Sequence, residues 1–181
     1  MIMLSYKVDE EIELVLPRPE IDGRTVYQLI DRQRDYLKEF LPWSDLLQNE
    51  EQEIAAFKDL MKEFGSGQSM TFVVHYNGET VGMIDFHNIN CHNHSAEIGY
   101  WLSQDMQGKG IITRAVKSIC RLGFDSYQLN RIVIIMDCDN TASKKVAERS
   151  GFHYEGKLRS YLKNGEYYKD AYIYSLLKKE N

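Results

Sequence analysis

The segment Gln107-Gly108-Lys109-Gly110 has the residue types and spacing of a turn that binds an anion through backbone N–H groups. Its two glycines let the backbone approach a ligand where a Cβ would obstruct it. The turn precedes a predicted helix, whose first N–H groups have no partners and whose dipole favours negative charge. Lys109, Arg114 and Lys117 replace the acidic residues expected in the first turns, and a bound polyanion would relieve that conflict.

Two better-known phosphate-binding patterns do not fit this turn. A P-loop requires Ser or Thr after the lysine, and Gly110 stands there. The dinucleotide-binding pattern G-x-G-x-x-G requires a third glycine, and Thr113 occupies that position. From the residues alone, an anion site and an ordinary glycine-rich turn with solvated cations both remain open.

The composition restricts the class of protein that carries this turn. The chain has 181 residues, which suits a single domain over residues 1–181, and 43% of them are hydrophobic. The formal net charge of −5 argues against nucleic acid as the main ligand, because phosphate backbones bind basic surfaces. The three cysteines have no C-x-x-C spacing, so we expect free thiols in a reducing compartment.

The sequence also bears on location and on metals. Residues 1–16 mix acidic with apolar side chains, unlike a secretory signal, and no apolar run approaches the ~20 residues that span a bilayer. We therefore expect a cytoplasmic protein with no membrane partner. His87, Cys91, His92 and His94 share one predicted loop, but their spacing is not that of a known zinc site, so we expect no metal.

The elements around the turn predict an α+β fold with a mixed sheet. Hydrophobic periodicity and turn residues give the order β-α-α-β-β-β-α-β-α-β-β, with Asp22 and Asn49 as N-caps and Gly65 ending the second helix. The predicted strands are 11–16, 70–76, 80–86, 96–102, 131–137, 152–162 and 167–176, the predicted helices are 23–40, 50–64, 110–127 and 141–150, and 88–95 is a predicted polar loop. A strand, helix and strand in succession imply a parallel pair, which places a site between Leu102 and Gly110.

Four motifs in fixed order resemble the GNAT acetyltransferase superfamily. They are Ala96-Glu97-Ile98-Gly99-Tyr100-Trp101-Leu102-Ser103, Gln107-Gly108-Lys109-Gly110-Ile111, Asn140-x-x-Ser143 and Gly151-Phe152. With the closing Tyr174-Ser175-Leu176-Leu177, the chain is most similar to the RimJ/RimL branch, which acetylates N-terminal amines of ribosomal proteins. It departs from the family pattern at Ile112, where a small residue is usual.

This resemblance implies a central, mostly antiparallel sheet of about seven strands, with a splayed parallel pair and four flanking helices. It implies transfer of an acetyl group from the co-substrate acetyl-CoA to a primary amine, by direct attack in a ternary complex. The implied donor-binding residues are Tyr100, Trp101, Leu102, Gln107, Gly108, Lys109, Gly110, Ile111, Ile112, Thr113, Asn140 and Ser143. The implied acceptor is a protein N-terminus, and the alternatives are a small amine or a non-catalytic acyl-CoA-binding module.

Glu97 and Ser143 are the candidates for the proton transfers. The resemblance places a carboxylate on the strand of Glu97, which makes it the candidate general base through water, and a salt-bridged glutamate is the alternative. Ser143 is the candidate proton donor to the thiolate, because Ala147 stands where many members of the superfamily have Tyr. Its alternatives are contact with the pantetheine arm of the donor, or a local bond to the backbone beside the N-cap Asn140.

Two further regions bear on the partners. The resemblance places Leu41-Pro42-Trp43 at the acceptor cleft, so Trp43 is predicted either to shape that cleft or to fill the core. Six tyrosines crowd the last two strands, at Tyr154, Tyr161, Tyr167, Tyr168, Tyr172 and Tyr174. They suit the strands themselves and also the surface of a homodimer or higher homo-oligomer.

Overall fold

The computed structural model describes residues 4–181, which alternate between strands and helices. The strands are β1 Ser5–Lys7, β2 Ile12–Val15, β3 Met70–Tyr76, β4 Glu79–Asn90, β5 Ser95–Leu102, β6 Arg131–Asp137, β7 His153–Asn164 and β8 Tyr167–Leu177. The helices are α1 Pro19–Arg32, α2 Arg34–Leu37, α3 Glu50–Ser66, α4 Ile111–Asp125 and α5 Thr141–Arg149. The predicted mixed fold is confirmed, and the described residues hold eight strands and five α-helices.

The described strands form one sheet in the order β1-β2-β3-β4-β5-β6-β8-β7. Neighbouring strands run antiparallel, except that β5 and β6 run parallel because α4 carries the chain back across the sheet between them. Their pairing ends at Glu97 and Val133, although β5 continues to Leu102 and β6 to Asp137. The predicted splayed parallel pair is therefore confirmed, and a gap opens in the sheet beyond Glu97.

Helices cover both faces of the sheet and divide the core in two. α4 and α5 pack on one face, and α1 and α3 pack on the other. On β5, Ile98 belongs to the core that contains Ile119 of α4, whereas Trp101 belongs to the core that contains Phe57 of α3. Side chains alternate between the faces of a strand, so β5 contributes to both cores.

The first helix differs most from its prediction. We predicted a helix over 23–40 with Asp22 as its N-cap, but α1 begins at Pro19 and Asp22 lies inside it, buried and bound by Arg18. Proline suits the first helical position because its missing N–H would have no partner there. The helix is also not continuous, since Gln33 leaves the helical region with φ −129° and ψ 22° before α2 resumes.

Smaller differences concern the ends of elements. Strands β4 and β5 extend into the predicted polar loop, which is reduced to a turn between Asn90 and Ser95. The prediction that Gly65 ends the second helix is wrong, because α3 continues to Ser66 and Gly67 takes a φ of 74°. Asn49 caps α3 as predicted, accepting a hydrogen bond at 3.0 Å from the backbone N–H three residues on.

Candidate active site

A cavity of about 930 Å³ opens where β5 and β6 part. Its walls include Ile98–Leu102 of β5 and Ile134–Asp137 of β6. Helices on both faces of the sheet contribute to it, through Tyr36 of α2 and Ser143 of α5 among others. The cavity therefore passes through the gap in the sheet, and its volume lies at the upper end of the range of about 300–1,000 Å³ for small-molecule sites.

Most of the predicted site residues meet in this cavity. The lining includes Tyr100, Trp101, Leu102, Gln107, Gly108, Gly110, Ile111, Ile112, Thr113, Asn140 and Ser143. The two predicted site residues outside the lining are Lys109 and Glu97. The ammonium of Lys109 lies 5.5 Å from the centroid of the Tyr76 ring and 3.3 Å from the sulfur of Met106.

The glycine turn has the geometry that its sequence predicts, for a more specific reason. Gly108 and Gly110 have φ angles of 75° and 71°, which side chains rarely tolerate. A Cβ added at either position would meet no heavy atom within 4 Å, so the backbone angle is what requires glycine. Gly110 is the N-cap of α4, which places the N–H groups of the turn at the start of that helix.

The cations around the turn are arranged differently from the prediction. The guanidinium of Arg114 lies 2.9 Å from Asp9 and 2.8 Å from Glu11, so its charge is already compensated and does not signal a bound polyanion. Sequence reasoning missed Lys145 and Arg149, which line the cavity from α5. Their spacing of one helical turn was the available signal.

Tyr100 and Ser143 form a pair of hydroxyl groups in the cavity wall. The phenol oxygen of Tyr100 lies 2.8 Å from Oγ of Ser143 and 3.3 Å from its carbonyl oxygen. Burial raises the pKa of Tyr100, so the phenol stays protonated and can donate a hydrogen bond to Ser143. Asn140 is the N-cap of α5 and accepts a bond at 2.9 Å from the N–H of Ser143, which fixes the start of that helix.

Glu97 belongs to a charged cluster on the other face of β5. Its carboxylate lies 3.4 Å from Nε2 of His87, whose Nδ1 donates to Asp85 at 2.7 Å. Burial opposes the charge on His87, but hydrogen bonds to Asp85 and Glu97 raise its pKa to about 10, so the imidazole is charged at neutral pH. The amide of Asn88 also donates to Glu97 at 3.2 Å, so this carboxylate is engaged by two partners.

Gly99 connects this cluster to the cavity. It lines the cavity and lies opposite Asp85 in the β4–β5 pairing. A Cβ at position 99 would lie 2.6 Å from the Asp85 carboxylate, so glycine leaves the space that this carboxylate occupies. Glu97 shares the face of Gly99 and precedes it by two residues, about 6–7 Å along the strand.

The predicted acceptor region contributes only in part. Leu41 and Pro42 line the cavity, next to Phe40. Trp43 lies outside the lining and is 43% exposed, so it neither shapes the cavity wall nor fills the core.

The described residues 4–181 also bear on metal binding, membranes and thiol chemistry. Within that range, no group of three or more His, Cys, Asp or Glu residues is placed to hold a metal ion. None of the helices described there has the length and apolar character needed to cross a bilayer. The cysteines are free thiols, as predicted, with Cys91 exposed and Cys120 buried.

The chain is similar to known proteins over most of its length. The acetyltransferase (GNAT) domain family matches residues 11–153. The ribosomal-protein-serine acetyltransferase of Escherichia coli (strain K12) is 35% identical over 168 residues, which are 93% of this chain and 91% of that protein. The uncharacterized N-acetyltransferase p20 of Bacillus licheniformis is 36% identical over 139 residues, which are 77% of each protein. A crystal structure of the microcin C7 self-immunity acetyltransferase MccE with acetyl-CoA and AMP is 27% identical, covers 94% of both chains and gives a TM-score of 0.90.

Proposed function

The chain belongs to the GNAT acetyltransferase family, and we propose that it transfers the acetyl group of acetyl-CoA to the N-terminal α-amine of a ribosomal protein. The Escherichia coli relative is named a ribosomal-protein-serine acetyltransferase, which supports a ribosomal protein as the acceptor. The observation that carries the proposal is the glycine turn at the start of α4, which lines a cavity that passes through the sheet. We also propose that the enzyme works in the cytoplasm, where ribosomal proteins are made.

The donor is held by its phosphates in this proposal. Backbone N–H groups of the turn from Gly108 to Gly110 and of the first turn of α4 would bind the pyrophosphate, since a helix start presents N–H donors without intrahelical partners and a favourable dipole. Lys145 and Arg149 add positive charge to the same cavity from α5. Ser143 and Asn140 line the cavity at the start of α5 and would contact the pantetheine arm.

The acceptor must lose a proton before it attacks. An α-amine with a pKa of about 7.7–8.0 costs only about 1 kcal/mol to deprotonate at pH 7, whereas a lysine-like amine with a pKa of about 10.4 costs about 4–5 kcal/mol. An α-amine therefore needs little from its base. We assign that role to Glu97, which would take the proton through water.

The chemical step exchanges one bond for another. The amine nitrogen attacks the thioester carbonyl carbon, a C–N bond forms, and the C–S bond breaks to release the thiolate of CoA. Backbone N–H groups near Leu102, where β5 has parted from β6, would stabilise the oxyanion. We assign protonation of the thiolate to the hydroxyl of Ser143, with the Tyr100 phenol donating a hydrogen bond to the same oxygen. The proton that the attacking nitrogen loses as the amide forms passes to solvent, and solvent returns one proton to Ser143.

Mass spectrometry of lysate proteins, after incubation with the enzyme and isotopically labelled acetyl-CoA, tests the proposal. We expect the label on the N-terminal α-amine of a ribosomal protein. Label on small amines alone would replace the proposed acceptor. If no amine in a broad panel of peptides and small amines caused thiol release from acetyl-CoA, the chain would be a non-catalytic acyl-CoA-binding module.

A further inference from the structure

Gln33 joins the break between α1 and α2 to the loop that leads into the donor turn. Its Nε2 donates to Oγ of Ser103 at 2.6 Å, and its Oε1 accepts from the backbone N–H of Gln104 at 2.6 Å. Nε2 also lies 3.5 Å from a carboxylate oxygen of Asp105. One amide thus uses both its donor and its acceptor on the same short loop.

This loop forms a polar network in which the roles of the groups are fixed. Ser103 is 1% exposed, and its backbone N–H donates to the carbonyl of Val81 at 2.8 Å. The hydroxyl of Ser103 donates to Asp105, a bond that holds the pKa of that carboxyl below its usual range. Because the hydroxyl hydrogen of Ser103 is used in the bond to Asp105, the partner at position 33 must donate to Ser103. The same partner must also accept from Gln104, so an amide fits both requirements.

A second bond ties the same break to the glycine turn. Tyr36 follows Gln33 by about one helical turn, and its phenol oxygen accepts a hydrogen bond from the side chain of Gln107. Both Tyr36 and Gln107 line the cavity. The chain beyond Tyr36 continues along the cavity wall through 37 and 39–42, on the face of the sheet opposite α5. The break in the helix therefore holds both ends of the loop 103–107 and leads directly into this wall.

We propose that Gln33 is a positioning residue that holds the loop 103–107 in the conformation that binds the donor, and that with Tyr36 it ties the donor turn to the opposite wall. The inference rests on the proposed function, which assigns the pyrophosphate to this turn. Loss of the amide weakens donor binding, because the loop must then be ordered when the ligand binds.

Gln33→Glu tests this role, because it keeps an acceptor for Gln104 but replaces the donor by a carboxylate. The charged groups around position 33 are Asp105, Lys109, which acts on Asp105, and the flanking Arg32 and Arg34. The guanidinium of Arg34 is bound to Asp31 at 2.8 Å. An ionised carboxylate cannot donate to Ser103 and repels Asp105, so we expect the CoA Kd to rise about tenfold at about pH 8. At about pH 5 the new carboxyl group is increasingly protonated and can donate to Ser103 again. We therefore expect the CoA Kd of the variant to be only about threefold above that of the wild type.

Calorimetric titration with CoA measures these affinities for the wild type and each variant at both pH values. Gln28→Glu is the matched control, because Gln28 lies on α1, which ends just before Gln33, and donates at 3.0 Å to another carboxylate, that of Glu50, away from the loop. This control should bind CoA like the wild type at both pH values. Gln33→Ala removes donor and acceptor together and should weaken binding equally at both.

The outcomes separate this inference from the proposed function. If the wild type bound CoA and Gln33→Glu bound it equally well at both pH values, the positioning role would be overturned and the proposed function would stand. If the wild type itself bound no CoA, both would be overturned. If Gln33→Glu lost the same CoA affinity at both pH values and also had a lower Tm at both, Gln33 would have a purely structural role instead.

Discussion

Strand β5 carries different polar chemistry on its two faces. Tyr100 points towards α5 and meets Ser143, a contact between two neutral hydroxyls in the cavity wall. Glu97 points to the other face and meets His87, which is also bound to Asp85, so that one imidazolium lies between two carboxylates. An unpaired charge in a buried wall would be costly, whereas neutral donors are not. The fold therefore places the charged groups in contact with one another on one face of β5 and neutral hydroxyls on the other.

Gly110→Glu has the largest expected effect, because the roles proposed for both faces of β5 require bound acetyl-CoA. The new side chain is strained at a φ of 71° and brings a negative charge to the proposed pyrophosphate site. We expect the CoA Kd, measured by calorimetry, to rise at least about 100-fold, which corresponds to about 2.7 kcal/mol.

Gly67→Glu is the matched control for that variant. Gly67 has a φ of 74° at the end of α3, and a Cβ there also meets no heavy atom within 4 Å. The backbone strain is therefore similar, but the position lies away from the cavity. Equal losses of CoA affinity in the two variants would contradict the assignment of the donor turn.

Ser143→Ala tests the neutral face. If Ser143 protonates the thiolate, kcat should fall about 100-fold while the CoA Kd changes by less than about threefold. Tyr100→Phe keeps the ring and removes only the phenol, so a smaller loss of about 3–10-fold in kcat is expected from the weaker support of Ser143. An unchanged kcat with a higher Kd in Ser143→Ala would leave Ser143 with the pantetheine contact alone.

Glu97→Gln tests the charged face. With a peptide α-amine as acceptor, we expect the rate to fall about tenfold at about pH 7 and the deficit to vanish above about pH 9, where the amine is already neutral. With a lysine-like amine the deficit should persist to higher pH. A pH–rate profile identical to that of the wild type would remove Glu97 from the mechanism and leave it as a partner of His87.

The donor turn could be predicted because its signal is local. Gly108 and Gly110 require unusual backbone angles, and the element that follows them is a strongly periodic helix, so a few adjacent residues define the geometry. The parallel pair followed from the element order, which needs no side-chain detail. The geometry of the glycine turn and the parallel pair are confirmed for these reasons, and donor binding at the turn stays a prediction.

Besides the shifted ends of helices and strands, the sequence could not predict several pairings between residues that are not neighbours in the chain. Arg114 is compensated by Asp9 and Glu11, which are more than a hundred positions away and could not be paired with it by pattern. The break at Gln33 falls within an apolar periodicity that predicts one helix, and its partners lie in the loop 103–105. The partnership of Glu97 with His87 depends on the register of β4 against β5 across a bulge.

The smallest expected effect is a change of stability with pH, which only the charged face of β5 should cause. The pKa of His87 in the folded protein is about 10 against 6.5 for a free imidazole, so its stabilising contribution is complete below about pH 6.5 and is lost as the pH rises through about 10. Since 37% of the His87 side chain is exposed, solvent screening reduces this contribution to about 1 kcal/mol. The free energy of unfolding in urea, measured between these pH values, should show that loss in the wild type and not in His87→Gln. The control His92→Gln, on the exposed turn before β5, should show the same dependence of stability on pH as the wild type. If the stability of His87→Gln depended on pH as that of the wild type does, the charges beside Glu97 would not be coupled as the geometry indicates. The contrast between the two faces of β5 would then rest on Tyr100 and Ser143 alone.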